Sequence, residues 1–106
     1  MTITTKPPDA GEQEAVQHAR LLASLGHPVR LRIFLYLIEH GETYQDEIVA
    51  RLSPMGQAAI SYQLARLKDA GLVESHKSGS RVYYCACPSA LREVASFLGT
   101  LIGRES

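Results

Sequence analysis

The sequence predicts a mainly α-helical chain carrying one small β-hairpin, an α+β fold of five helices. Three observations predict it. Apolar residues recur at helical spacing through most of the 106 residues. From about residue 72 the period falls to two on either side of a Ser-Gly-Ser turn. After Pro88 the helical period returns.

Residues 1–10, "MTITTKPPDA", are polar with a Pro-Pro pair and read as a loose tail. A first helix can start near Asp9 or Gly11. Val16, Ala19, Leu22 and Ala23 recur along one side of it, and Gly26 punctuates its end. Pro28 suits the first turn of a second helix, where a missing N–H costs nothing. That helix, "PVRLRIFLYLIEH", is apolar on most of its surface and is expected to be the central core helix. A short third helix covers about residues 44–52, with Ile48 and Leu52 inward. "SPMG" is a turn. A fourth helix begins at Gly56 or Gln57, carries Ile60, Leu64 and Leu67 as its apolar stripe, and stops at Gly71. "LVESHK", "SGS" and "RVYYCA" make a hairpin over residues 72–77 and 81–86. Pro88 opens the last helix, striped by Leu91, Val94, Ala95, Leu98, Leu101 and Ile102. Two helices joined by a tight turn, then a hairpin, give a winged helix-turn-helix over residues 11–104.

Composition narrows the function. Lys+Arg and Asp+Glu both number 11, so the zero net charge argues for no particular partner. No apolar run approaches a membrane span, and the first residues lack the apolar centre of a signal peptide, so the expectation is a cytoplasmic protein away from membranes. Two cysteines are too few for a disulfide framework. No Ser/His/Asp set, phosphate-binding Gly loop or carboxylate pair in a plausible cleft supports an enzyme.

The fourth helix and the hairpin carry the candidate DNA surface. With the apolar stripe inward, Gln57, Ala58, Ser61, Tyr62 and Ala65 face out. The N-terminal part of a recognition helix enters the major groove. There Gln57 and Gln63 offer paired hydrogen bonds to adenine, Ser61 a bond to base or phosphate, and Ala58 a contact with a thymine methyl. Tyr62 can donate to phosphate. Arg66 and Lys68 lie further along and suit the backbone. On the wing, Lys77, Ser80 and Arg81 suit phosphate, with Arg81 a candidate for the minor groove. Residues 54–84 hold four basic side chains (Arg66, Lys68, Lys77, Arg81) against two acidic ones (Asp69, Glu74), a modest local excess. The competing reading is a winged module that binds protein; polar and basic wing-tip residues favour DNA over it. The apolar stripes on the first and last helices exceed what one small core needs. Pairing them across a two-fold axis would set two recognition helices roughly 34 Å apart. The alternative is that both helices only cover their own core.

Three stretches also resemble a known family. "LASLGHPVRLRIFLYL" is similar to the opening signature of ArsR/SmtB-type repressors, "GQAAISYQLARLKDAGLV" to their recognition helix, and "SGSRVYY" to their wing. The resemblance spans about residues 19–91. It implies a homodimeric DNA-binding repressor of a palindromic operator, in many members released by a metal ion, a metalloid or cysteine oxidation. The family's usual sensor positions are altered here. Tyr44 and Asp46 stand where soft-metal sensors have cysteines at the start of the third helix. The last helix has no His or Asp, and neither it nor the second helix has a Cys.

Cys85 and Cys87 remain as sensor candidates. Alternate residues of a strand share a face with Cα atoms about 6.6 Å apart. Two thiolates so placed can share a soft ion such as arsenite, cadmium or copper, or be oxidised. The passive alternative is two small residues where the wing meets the last helix. Among the histidines, His18 is the plausible extra ligand. His27 and His40 read as structural, and His76 as a wing residue near DNA.

Overall fold

The computed structural model describes residues 10–103. The elements follow as α1 (Ala10–Leu25), α2 (Pro28–His40), β1 (Thr43–Tyr44), α3 (Gln45–Arg51), α4 (Gln57–Asp69), β2 (Val73–Ser78), β3 (Arg81–Ala86) and α5 (Pro88–Gly103). The expected tail lies outside the described residues except Ala10, which opens α1. The five helices and the hairpin match the expected fold, while β1 was not foreseen. It adds to the hairpin as a third antiparallel strand in the order β1-β3-β2, pairing Thr43 with Tyr84 and Tyr44 with Tyr83. Tyr44 therefore leaves the expected third helix, which starts at Gln45.

Local chemistry sets the boundaries. The His27 imidazole caps α2, its Nδ1 accepting from the Val29 amide at 3.2 Å, and Pro28 follows where no donor is needed. His40 closes the same helix, its ring stacked on Tyr36 and its Nδ1 3.0 Å from the Tyr36 carbonyl. The end of α4 is a Schellman turn: the Gly71 amide donates to Lys68 O at 3.0 Å and the Leu72 amide to Leu67 O at 3.0 Å. Gly71 sits at φ +78, a conformation that a side chain would strain. Leu72 is thus used by the helix cap, and β2 begins one residue later than expected. The wing turns at Gly79, with φ +63, between Ser78 and Arg81.

One core joins the elements. Ile33, Phe34 and Leu37 of α2, Ile48 and Leu52 at α3, Ile60, Leu64 and Leu67 of α4, and Leu72 and Val73 at the start of the wing form a single buried cluster. The Leu stripe of α4 faces it as the periodicity required. As expected, α2 is a core helix, through Ile33, Phe34 and Leu37, but its apolar surface is wider than the core uses. Only one side of that helix is buried, and Leu31, Leu35 and Ile38, one to two turns apart, face out. Val16 and Leu22 of α1 and Leu98 and Ile102 of α5 are likewise exposed, leaving His18, Leu21 and Leu25 as the inward residues of α1. Among the described residues, no single helix is long and apolar enough to cross a membrane.

Candidate nucleic-acid interface

The core fixes what α4 presents. Because Ile60, Leu64 and Leu67 point inward, the opposite side of its first two turns carries Gln57, Ala58 and Tyr62, all exposed; Tyr62 is 60% accessible. The helix opens at Gly56 without a side-chain cap, so its first amides and the positive end of its dipole face outward beside Gln57.

The wing lies next to that end. Gln57, Ser80 and Arg81 line one cleft of about 150 Å³ together with Tyr44, Gln45 and Asp46. The start of the recognition helix and the base of the wing are therefore neighbours, as a combined DNA surface requires. The Arg81 guanidinium carbon sits 4.4 Å above the Tyr44 ring, a cation–π contact that holds the charge beside Gln57. Lys77 is exposed on β2 opposite Val82. His76 stacks on Tyr83 and lies 3.3 Å from a Glu42 carboxylate oxygen, so it stiffens the wing from its side.

A hydrogen-bonded chain that the sequence reading missed sets the angle between helix and wing. The Tyr84 hydroxyl donates to Gln45 Oε1 at 3.3 Å, and Gln45 Nε2 donates to Ser61 Oγ. Strand β3, the first residue of α3 and the second turn of α4 are thus tied by three side chains. Burial pushes the Tyr84 phenol above its ordinary range, which keeps it a neutral donor. Tyr44 was legible only as the replacement for a family cysteine, and Gln45 was not singled out at all. The available signal was the aromatic "TY" beside a helix start, able to pair with "YY" on the wing.

Four expected contacts are placed differently from the rest. Ser61 is half-buried and its oxygen is engaged by Gln45. Gln63 is turned toward α2, where its carboxamide oxygen accepts from Arg30 Nη1 at 3.0 Å, which removes it from the groove-facing row. Lys68 donates to Ser75 Oγ at 2.8 Å across the base of the wing. Arg66 lines a pocket with Arg20 and Arg30, on the side of α4 facing α1 and α2. The row at the tip thus consists of Gln57, Ala58, Tyr62, Lys77, Ser80 and Arg81.

Cys85 and Cys87 lie at the far end of β3. Tyr84 and Ala86 pack on the core, so Cys85 faces the other side of the sheet, paired across from Glu74. The Cys87 amide donates to Leu72 O at 2.8 Å. Both thiols are free and half-buried. Burial pushes the Cys87 thiol up, and the Glu74 carboxylate, which also accepts from it, and Cys85 push the same way. The thiolate needed for metal binding or attack is disfavoured there at neutral pH. Among the described residues, no three His, Cys, Asp or Glu side chains are grouped to hold a metal ion. His18, considered as an extra ligand, is buried against Phe97 with ring centroids 4.8 Å apart, and its Nε2 lies 3.2 Å from Glu14 Oε1.

Comparison with known proteins places this geometry. A helix-turn-helix domain family matches residues 25–76. The biofilm growth-associated repressor of Xylella fastidiosa is 31% identical over 90 residues, covering 85% of this chain and 77% of the relative. Among solved structures, an ArsR-like transcriptional regulator from Rhodococcus sp. superposes with a TM-score of 0.72 at 30% identity, over 86% of this chain and 83% of that one. The homodimeric winged helix-turn-helix DNA-binding domain of a possible ArsR-family regulator from Mycobacterium bovis does so with a TM-score of 0.70 at 28% identity, over 96% of this chain and 92% of that one. Fold, wing, recognition helix and relatives agree: this chain belongs to the ArsR family of winged helix-turn-helix transcriptional regulators.

Proposed function

We propose that the protein is a repressor that binds a two-fold operator as a homodimer, reading bases with the start of α4 and gripping the backbone with the wing. The observation that carries this reading is the meeting of Gln57, Ser80 and Arg81 around one cleft, with Ala58 and Tyr62 exposed beside them. Gln57 supplies the paired donor and acceptor that suit adenine, and Ala58 suits a thymine methyl. Lys77, Ser80 and Arg81 contact phosphate and the flanking groove. Lys68 and Arg66 are assigned no base contact, and their part in DNA binding is at most a flank contact to the backbone.

The dimer is supported by the exposed apolar residues of α1 and α5, of which Val16 is 47% and Ile102 69% accessible. A second chain with the same surfaces covers them around a two-fold axis. Gel-shift titration of the protein's own promoter tests the reading. A retarded band whose affinity falls as salt rises is expected; no band at low salt rejects it.

For Cys85 and Cys87 the passive reading is favoured. The raised thiol of Cys87 beside Glu74 is poorly suited to bind arsenite, cadmium or copper at neutral pH. The double variant Cys85→Ser, Cys87→Ser is expected to bind operator as the parent does. Release of the parent, but not the variant, from operator by any of the three ions or by peroxide would restore the sensor reading.

A further inference from the structure

A second charged feature lies away from the reading surface. Arg20 of α1, Arg30 of α2 and Arg66 of α4 line one open pocket of about 380 Å³, with Ser24 and Asp69 in the same wall. That size lies within the range of small-molecule sites. Three cations face a single carboxylate. Among the described residues the ion pairs are His18–Glu14 and His76–Glu42, so neither Arg20 nor Arg66 makes a direct ion pair with Asp69.

Arg30 is already positioned. Its Nε donates to Ser24 O at 2.6 Å and its Nη1 to Gln63 Oε1 at 3.0 Å. A guanidinium has five N–H donors, so three remain on a side chain that cannot swing away. The Ser24 hydroxyl is shut from solvent and has no hydrogen-bond partner among the described residues. A buried polar atom without a partner is uncommon and costs stability unless something satisfies it.

We propose that this pocket is a binding site for a small oxyanion, a carboxylate or phosphate group on a compact polar molecule. Arginine forks from three helices take the anionic oxygens in bidentate fashion, and Asp69 accepts from a hydroxyl on the same ligand. Free ligand is favoured over a DNA phosphate because the site is concave and removed from the base-reading end. Gln57 and Arg66 are nine helical steps apart, about 13 Å along the axis. The site uses neither the start of α3 nor the sensor positions of the last helix, and it is independent of the cysteine pair.

The test uses the intact protein with citrate and with inorganic pyrophosphate as probes. Calorimetry gives stoichiometry and Kd, and NMR of the arginine Nε–H groups gives location. One saturable site per chain is expected for at least one probe, with the Arg20, Arg30 and Arg66 signals moving together. Arg20→Gln and Arg66→Gln should each weaken it at least fivefold, and Arg51→Gln, on α3, should leave it unchanged. Circular dichroism and melting temperature should match the parent for all three, since among the described residues Arg20 and Arg66 hold no hydrogen-bond or ion-pair partner whose loss would unfold the chain. No saturable uptake of either probe overturns the proposal, as does uptake indifferent to both pocket substitutions. It is also overturned if the two substitutions weaken binding to a random duplex while leaving probe uptake intact, which would make the arginines a backbone contact.

Discussion

The two sides of this molecule solve opposite problems. On the reading side, several polar side chains hold one another: Tyr84, Gln45 and Ser61 form a continuous link, and Arg81 rests on Tyr44. On the side of α1, α2 and α5, Val16, Leu22, Leu31, Leu35, Ile38, Leu98 and Ile102 are left uncovered. An apolar surface of that extent is stable in water only when something covers it. The contrast separates a polar face tied together within the chain from an apolar face left open.

The largest effect should follow from breaking the apolar side. Leu98→Asp with Ile102→Asp places two charges on the exposed stripe of α5 without touching buried Val94. Sedimentation should show monomers, and operator affinity should fall roughly a hundredfold or more as the linked second half-site is lost. Dimers surviving both charges would place the contact elsewhere, with Leu31, Leu35 and Ile38 of α2 the next surface to test.

Next in size is the reading side itself. Gln57→Ala removes one paired base contact and should cost about 1–3 kcal/mol on the matched operator. Non-specific duplex should lose far less. An equal loss on both would make Gln57 a backbone contact.

The internal link gives a smaller effect of a different kind. Gln45→Ala leaves the Tyr84 hydroxyl and Ser61 without their shared partner and should destabilise the fold by about 1–2 kcal/mol. Thermal or urea unfolding reads this directly. An unchanged midpoint would show that the link does not hold wing to helix. Lys77→Ala should act almost wholly through salt, weakening binding to all sequences alike and lowering the salt slope by about one.

The smallest effect concerns Cys87. Its thiol is held above the ordinary range by burial and by Glu74, so at neutral pH less of it is thiolate than in a free cysteine. Alkylation by iodoacetamide should be slower than for a model thiol at pH 7 and should gain as pH rises. Glu74→Gln removes the opposing charge and should speed it a few-fold. Faster-than-model alkylation in the parent would return the pair to the sensor candidates.

Much of this was legible in the sequence for a physical reason. Ile60, Leu64 and Leu67 at helical spacing, with Gly71 after them, leave α4 one way to lie, and the exposure of Gln57, Ala58 and Tyr62 follows from that. Pro28, Gly79 and the alternation in "RVYYCA" act equally locally. What was not legible depends on distant partners. The strand at Thr43–Tyr44 exists because β3 has a free edge there. Gln63 was offered as an adenine contact although it sits nearer the core side of α4, and Arg30, 33 residues earlier, is what claims its oxygen. Which of the second helix's apolar residues meet the core was not legible, because apolar residues look alike whether they meet their own core or another surface. The arginine pocket draws on three helices and has no local spacing to betray it.

The central claim is that the start of α4 and the wing together form the DNA surface. NMR of isotope-labelled protein titrated with its promoter duplex tests it most directly. The account predicts that amide signals of Gln57, Ala58, Tyr62, Lys77, Ser80 and Arg81 shift or broaden first, at two chains per site. Shifts confined to Leu31, Leu35, Leu98 and their neighbours, with those six signals unmoved, would contradict it.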